Sequence, residues 1–191
     1  VMHVGNPLRE GFGGLSYENA RKKLGLRDGE QMVLSFGGSL GAERINEAML
    51  DLMGEYAPKH PEIRIVHACG TVKYGPIYEE FCRRGLDALP NVMLTPYIYD
   101  MPTQMAAADV VICRAGAMTI SEVALMKKAC VMIPSPNVTD NHQEKNARAL
   151  ADKGAAVLIL EKDCGQFISS RSDSICSNNS IVLLNVIQPS K

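Results

Sequence analysis

Read from its amino end, the chain alternates two hydrophobic patterns. Short runs rich in Val, Ile and Leu occur at "QMVLSFGG", "IRIVHACG", "NVMLTPYI", "DVVICRAG", "ACVMIPSP" and "AAVLILE". Each is apolar at successive positions rather than at every second one, as strands buried on both faces of a parallel sheet are. Between most of them the period becomes helical. "AERINEAMLDLMGEYA" sets Ile45, Met49, Leu52 and Met53 on one stripe, and "TISEVALMKK" does the same with Ile120, Val123 and Ala124. "NHQEKNARALADKG" ends on Gly154, a helix stop. Strands alternating with helices predict a doubly wound, Rossmann-like α/β fold with a parallel sheet. Right-handed crossovers then bring every loop that follows a strand to one edge, where such sheets bind ligands.

Three loops on that edge carry candidate chemistry. In "LSFGGSLGAERIN" a strand ends at Gly37 and Gly38, and Ser39, Leu40 and Gly41 lead into a helix. Glycine lets backbone come close to a ligand, and the open N–H groups of a helix start favour an anion. A tight turn with Ser39 as N-cap is the alternative. The loop lacks the G-x-G-x-x-G pattern, and the next strand ends "VHACGT" with no acid for a ribose hydroxyl, which argues against NAD binding and a dinucleotide oxidoreductase. In "VICRAGAMTISE" a strand passes through Arg114 and Gly116 into a helix expected to start near Thr119. Thr119 and Glu122 have capping-box spacing; Glu122 could instead reach sugar hydroxyls beside a phosphate held at the helix start. Two such turns suit a diphosphate with a sugar at each end.

The third loop, "IPSPNVTDNHQEKNA", brings Asp140, Asn141, His142, Gln143 and Asn146 to a helix start. Amides and imidazoles there can bond sugar hydroxyls, or Asp140 can simply cap a solvated turn. His142 is given no proton-transfer role. In "TPYIYDMP", Ile98 can offer backbone groups to a base edge, or it is a core residue before a helix capped by Asp100.

Composition narrows the partners. Among 191 residues, 20 Lys plus Arg balance 21 Asp plus Glu, so no broad nucleic-acid footprint is expected and any anion must be held locally. The six cysteines form no C-x-x-C pair and no metal-ligand spacing. Cys69, Cys113 and Cys130 sit in apolar runs, which fits a reduced, cytoplasmic setting. No run approaches the roughly 20 apolar residues of a membrane span, and there is no signal-peptide pattern. The opening "VMHVGNPLREGF" reads as the inside of a longer protein. Residues 1–163 are expected to form the domain. Residues 164–191, where seven of the twelve serines fall, read as an atypical Ser-rich tail without a predicted fold.

The ordered set "GNPLR", "GGSLGA", "PYIYDM", "CRAGAMTISE" and "DNHQEKNA" resembles the MurG family over about residues 4–163. These bacterial transferases move N-acetylglucosamine from UDP-GlcNAc onto the lipid-linked muramyl pentapeptide, lipid I, to give lipid II of peptidoglycan. The resemblance implies a GT-B fold of which this chain is the C-terminal, donor-binding half. An acceptor domain carrying the general base and the face that touches the cytoplasmic membrane would precede residue 1, and this half alone would be inactive.

By the same resemblance, Arg9 and Ile98 would lie by the uracil, and Gly38 and Ser39 by the diphosphate or sugar. Ala117, Met118 and Thr119 would present the helix start to the phosphates, Glu122 would bind the ribose, and His142 and Gln143 the GlcNAc hydroxyls. The family's tail is expected to be amphipathic helix, from which residues after Asp163 depart. The sequence has no D-x-D carboxylate pair, so neither metal nor cofactor is expected, and helix dipoles would stabilise the leaving UDP in an inverting reaction. The alternative is a stand-alone UDP-sugar-binding subunit of a two-component transferase acting on a dolichol-linked acceptor.

Overall fold

The computed structural model describes residues 11–167. Six strands form one sheet: β1 (Gln31–Phe36), β2 (Ile63–Ala68), β3 (Val92–Thr95), β4 (Val110–Cys113), β5 (Ala129–Met132) and β6 (Val157–Leu158). The helices are α1 (Tyr17–Lys23), α2 (Glu43–Tyr56), α3 (Tyr74–Arg83), α4 (Met101–Ala107), α5 (Ala117–Leu125) and α6 (His142–Ala151). Every strand pair is parallel, in the order β3-β2-β1-β4-β5-β6. Each strand falls inside one of the six apolar runs.

The order decides where a ligand can sit. From β1 the chain winds outward to β2 and β3, then returns to lay β4 against the other side of β1, with Phe36 beside Cys113. The winding reverses between β1 and β4, so the helices that leave these two strands pack on opposite faces and a crevice opens at their carboxyl ends. Alternation along β1 serves both faces. Val33 faces a core made with Ile45, Met49 and Met53 of α2, Phe81 of α3 and Ile65 of β2. Met32 and Leu34 face a second core with Ala20 of α1, Met101 and Met105 of α4, Val123 of α5 and Ala147 of α6. Burial of each such large side chain stabilises the fold by about 1.5–3 kcal/mol.

The predicted stripe of α2 is buried as expected. On α5 only part of the expected stripe holds: Val123 is buried, Ala124 is exposed, and Glu122 takes an inner position instead. Helix α6 runs to Ala151, and Gly154, at φ +69°, donates its N–H back to Ala151 in the closing turn. Cys69, Cys113 and Cys130 are free and buried. A 3-10 helix over Glu161–Phe167 crosses the expected boundary at residue 163 and inserts Cys164 into the first core. The rest of the Ser-rich tail lies outside the described residues. At the opposite edge of the sheet Asp109 ties α1 down, accepting from Tyr17 Oη at 2.6 Å, Arg21 Nη1 at 3.1 Å and the Met32 amide at 2.7 Å. Among the described residues no helix is long and apolar enough to cross a membrane.

Candidate functional site at the carboxyl edge of the sheet

The turn after β1 is built by close backbone contact. Gly38 and Gly41 have φ of +96° and +85°, and the Gly41 amide donates to the Gly38 carbonyl at 3.1 Å. A Cβ on Gly41 would lie 2.1 Å from the carbonyl oxygen of Cys69, at the end of β2, so only glycine fits there. The neighbouring turn holds this one in place, because Thr71 donates to the Ser39 carbonyl from its amide at 3.1 Å and from Oγ1 at 3.3 Å. Gly38 and Ser39 are exposed. Ser39 is not the N-cap: the helix is entered from Ala42, which has no side-chain acceptor for the first N–H groups of α2.

The turn after β4 begins its helix earlier than the sequence pattern predicts. Gly116 is the N-cap and α5 starts at Ala117, so Thr119 is its third residue. Gly116 offers no side chain to cap the helix, and Thr119 is not at the cap position that the expected Thr119–Glu122 capping box requires. The reason is geometric: with the cap at Gly116, Glu122 is the sixth helical residue and its carboxylate is too far along to fold back on the helix start. Ala117 and Met118 are exposed at the helix start and Thr119 is half-buried. Glu122 is 1% exposed. Its carboxylate is felt by Cys113, whose thiol is pushed up first by burial and further by Cys130 and Glu122, leaving it inert as a nucleophile.

The loop after β5 supplies the third wall. Asp140 and Asn141 both adopt left-handed backbone, at φ +53° and +51°, a conformation that Asp and Asn tolerate better than most residues. Asn141, not Asp140, is the N-cap of α6, and it makes no side-chain cap bond. Its Nδ2 donates instead to Glu144 Oε2 at 2.7 Å. Gln143 is half-buried, and its Oε1 accepts from the Ser135 amide at 3.0 Å, which fixes the amide group and leaves its NH2 the donor role. His142 is exposed at the helix start. Asn146 reaches the Ala115 carbonyl at 3.4 Å and joins α6 to the turn after β4.

Another expected contact turns its side chain into the core. Ile98 is 7% exposed with its side chain in the second core, and Asp100 caps α4 by accepting from the Thr103 amide at 3.3 Å. Only the backbone of Ile98 is left for a ligand. Arg9 lies outside the described residues.

A polar cleft of about 1080 Å³ opens beside these turns, between the start of α2, the loop after β5 and residues 160–162. None of the nine expected contact residues that are described lines it, although their neighbours Gly41, Ala42, Ser135 and Asn141 do. Its floor carries an ion pair that the sequence pattern did not single out. Arg114 Nη2 meets Glu161 Oε1 at 2.7 Å, and Nη1 donates to the carbonyls of Ile133 and Pro134 at 3.2 and 3.0 Å. Both side chains are mostly buried. Arg114 thus cross-ties β4, β5 and the 3-10 helix over Glu161–Phe167. The signal was an arginine directly after an apolar strand and an acid directly after another.

Residues 32–179 match the model of the glycosyltransferase family 28 C-terminal domain. The chain belongs to that family. Its doubly wound sheet is the C-terminal half of the GT-B architecture, as expected. The UDP-N-acetylglucosamine-N-acetylmuramyl-(pentapeptide) pyrophosphoryl-undecaprenol N-acetylglucosamine transferase of Acetivibrio thermocellus is 44% identical over 163 residues, covering 85% of this chain and 43% of the relative. The transferase of the same name from Bacillus cytotoxicus is 36% identical over 185 residues, 97% of this chain and 48% of the relative. The crystal structure of Acinetobacter baumannii MurG aligns with a TM-score of 0.67 and 28% identity, over 98% of this chain and 47% of that one. The chain therefore spans about half the length of the curated relatives it matches. UDP-GlcNAc 2-epimerase from Neisseria meningitidis, bound to UDP-GlcNAc, shares the fold alone, with a TM-score of 0.52 and 15% identity over 80% of this chain and 38% of that one.

Proposed function

We propose that this family 28 domain is the donor-binding half of an inverting transferase that moves GlcNAc from UDP-GlcNAc onto undecaprenyl-pyrophosphoryl-MurNAc-pentapeptide, converting lipid I to lipid II. One observation carries the reading. At the point where the winding reverses, the starts of α2 and α5 have Ala42 and Gly116 as N-caps, neither with a capping side chain, and α5 carries the buried Glu122. The positive ends of two helices favour a diphosphate. A carboxylate nearby suits the two hydroxyls of a ribose, which can donate to it as a pair.

In this reading Ala117, Met118 and Thr119 present the α5 start to the phosphates, Gly38 and Ser39 meet the diphosphate or sugar, and Glu122 takes the ribose. Arg9 and the Ile98 backbone lie by the uracil, while His142 and Gln143 bond the GlcNAc hydroxyls. The acceptor hydroxyl attacks the anomeric carbon as the bond to UDP breaks. Its proton passes to a base on the acceptor domain, which also carries the contact with the cytoplasmic membrane face. Charge developing on the UDP oxygens is stabilised by the fixed helix ends, with neither metal nor cofactor. Removing one such donor typically costs about a hundredfold or more in rate. The test is calorimetric titration of the chain with UDP, UDP-GlcNAc and NAD. Binding of both uridine ligands without NAD is expected; NAD binding without UDP binding would sink the proposal.

A further inference from the structure

Beneath the turn after β1, the first core is broken by two polar residues that face each other. On β2, Ile63, Ile65 and position 67 alternate toward α2, where the pattern calls for another apolar side chain, yet His67 stands there with no exposure. On α2, Asn46 lies among Ile45, Met49 and Leu50 and is 3% exposed. His67 Nε2 is 2.9 Å from Asn46 Oδ1, and Asn46 Nδ2 donates to the Cys69 carbonyl at 3.0 Å. The amide oxygen can only accept, so Nε2 carries the proton. Burial holds the ring neutral, its pKa pushed down to about 4.

The far end of this chain of bonds is the place where the two turns touch. The Cys69 carbonyl is the atom against which Gly41 is closed, and a Cβ on Gly70 would lie 2.2 Å from the Gly41 amide nitrogen. Thr71 then bonds the Ser39 carbonyl. Stability alone does not call for this arrangement, because replacing both members of a buried polar pair by apolar groups of similar shape is close to neutral. We infer that Asn46 and His67 are positioning residues for the phosphate-facing turn: through the Cys69 carbonyl they fix the height of Gly38–Gly41 and so the aim of the N–H groups at the start of α2. The inference rests on reading that turn as a seat for the UDP diphosphate.

The test uses the whole chain, with affinities for UDP and for uridine read beside the melting temperature. The double replacement Asn46→Leu with His67→Met keeps the volume and removes the bonds. It is expected to melt within a few degrees of the parent, to bind UDP about tenfold more weakly, and to bind uridine as before. His67→Gln, whose amide nitrogen can stand in for Nε2, is expected to keep most of the UDP affinity. Should the double variant not fold, Asn46→Asp decides, since its carboxylate still accepts from His67 Nε2 but turns an acceptor oxygen toward the Cys69 carbonyl. Unchanged UDP affinity, or equal losses for UDP and uridine, would overturn the inference. A parent chain that binds no UDP would instead refute the donor-site reading, and this inference with it.

Discussion

The turn after β1 and the turn after β4 both place glycine between a strand and a helix, yet the surroundings of those glycines differ. Gly41 has φ +85° and no room for a Cβ, which would meet the Cys69 carbonyl at 2.1 Å. Gly116 has φ −70° and ψ 147°, open to any residue, and the nearest atom to a Cβ there is Thr119 Oγ1 at 4.0 Å. The first glycine is demanded by the fold itself. At the second no described residue makes such a demand, and in the proposed reading the close approach of a ligand supplies the reason for a missing side chain. Glycine in a strand-to-helix turn therefore speaks for a ligand only after internal packing has been excluded as its cause.

The largest effect is expected at Gly41. Gly41→Ala is expected to cost more than about 4 kcal/mol, since left-handed backbone strain adds to a clash with a fixed carbonyl. Urea denaturation checks it; a variant within about 1 kcal/mol of the parent would mean that the two turns can separate. The same neighbourhood predicts the next largest effect. Unfolded, His67 titrates at its usual 6.5, whereas in the folded chain burial pushes it to about 4. Above 6.5 the ring is neutral in both states and costs nothing. As pH falls from 6.5 toward 4 only the unfolded state takes up the proton, so stability drops, by about 3 kcal/mol in all. Comparing urea midpoints of the parent and His67→Gln at about pH 7 and about pH 4.5 isolates this from the carboxylates. Equal acid losses in the two proteins would show that His67 is protonated when folded.

The fold was legible because buried parallel strands are apolar on both faces, a pattern that survives without tertiary context. All six runs became strands, and glycine and Asp100 marked helix ends where expected. The helix starts at the site were less legible. Ser39, Thr119 and Asp140 are good caps by residue type, but the caps are Ala42, Gly116 and Asn141. Capping preference is a property of residue type, whereas the backbone path of each turn decides which residue stands at the cap. The helix start that does follow the preference on this edge is α4, where Asp100 caps and Ile98 turns into the core. The Asn46–His67 and Arg114–Glu161 pairs were invisible for another reason: their partners are 21 and 47 positions apart, and only the winding of the sheet joins them.

At the second turn a smaller effect is expected from Glu122. In the proposed reading the carboxylate of Glu122, 1% exposed, serves the ribose. Glu122→Gln keeps the shape and removes the charge. The UDP affinity should fall at least tenfold, as for loss of hydrogen bonds to a charged group, while stability changes by about 1 kcal/mol or less. Equal UDP affinity with a large stability loss would return Glu122 to a structural role.

The smallest effect is expected at Gly116 itself, and it is the one that separates the two turns most cleanly. Alanine fits the extended backbone there and restricts the unfolded chain, so Gly116→Ala should raise stability by about 0.5 kcal/mol. The added methyl stands where phosphate oxygens would approach the α5 start, and UDP should bind about fivefold more weakly, equivalent to about 1 kcal/mol. A stability gain joined to an affinity loss is the opposite of what Gly41→Ala should give. If Gly116→Ala gains stability and binds UDP as well as the parent, the diphosphate does not sit on that turn, and the α2 start alone must hold it.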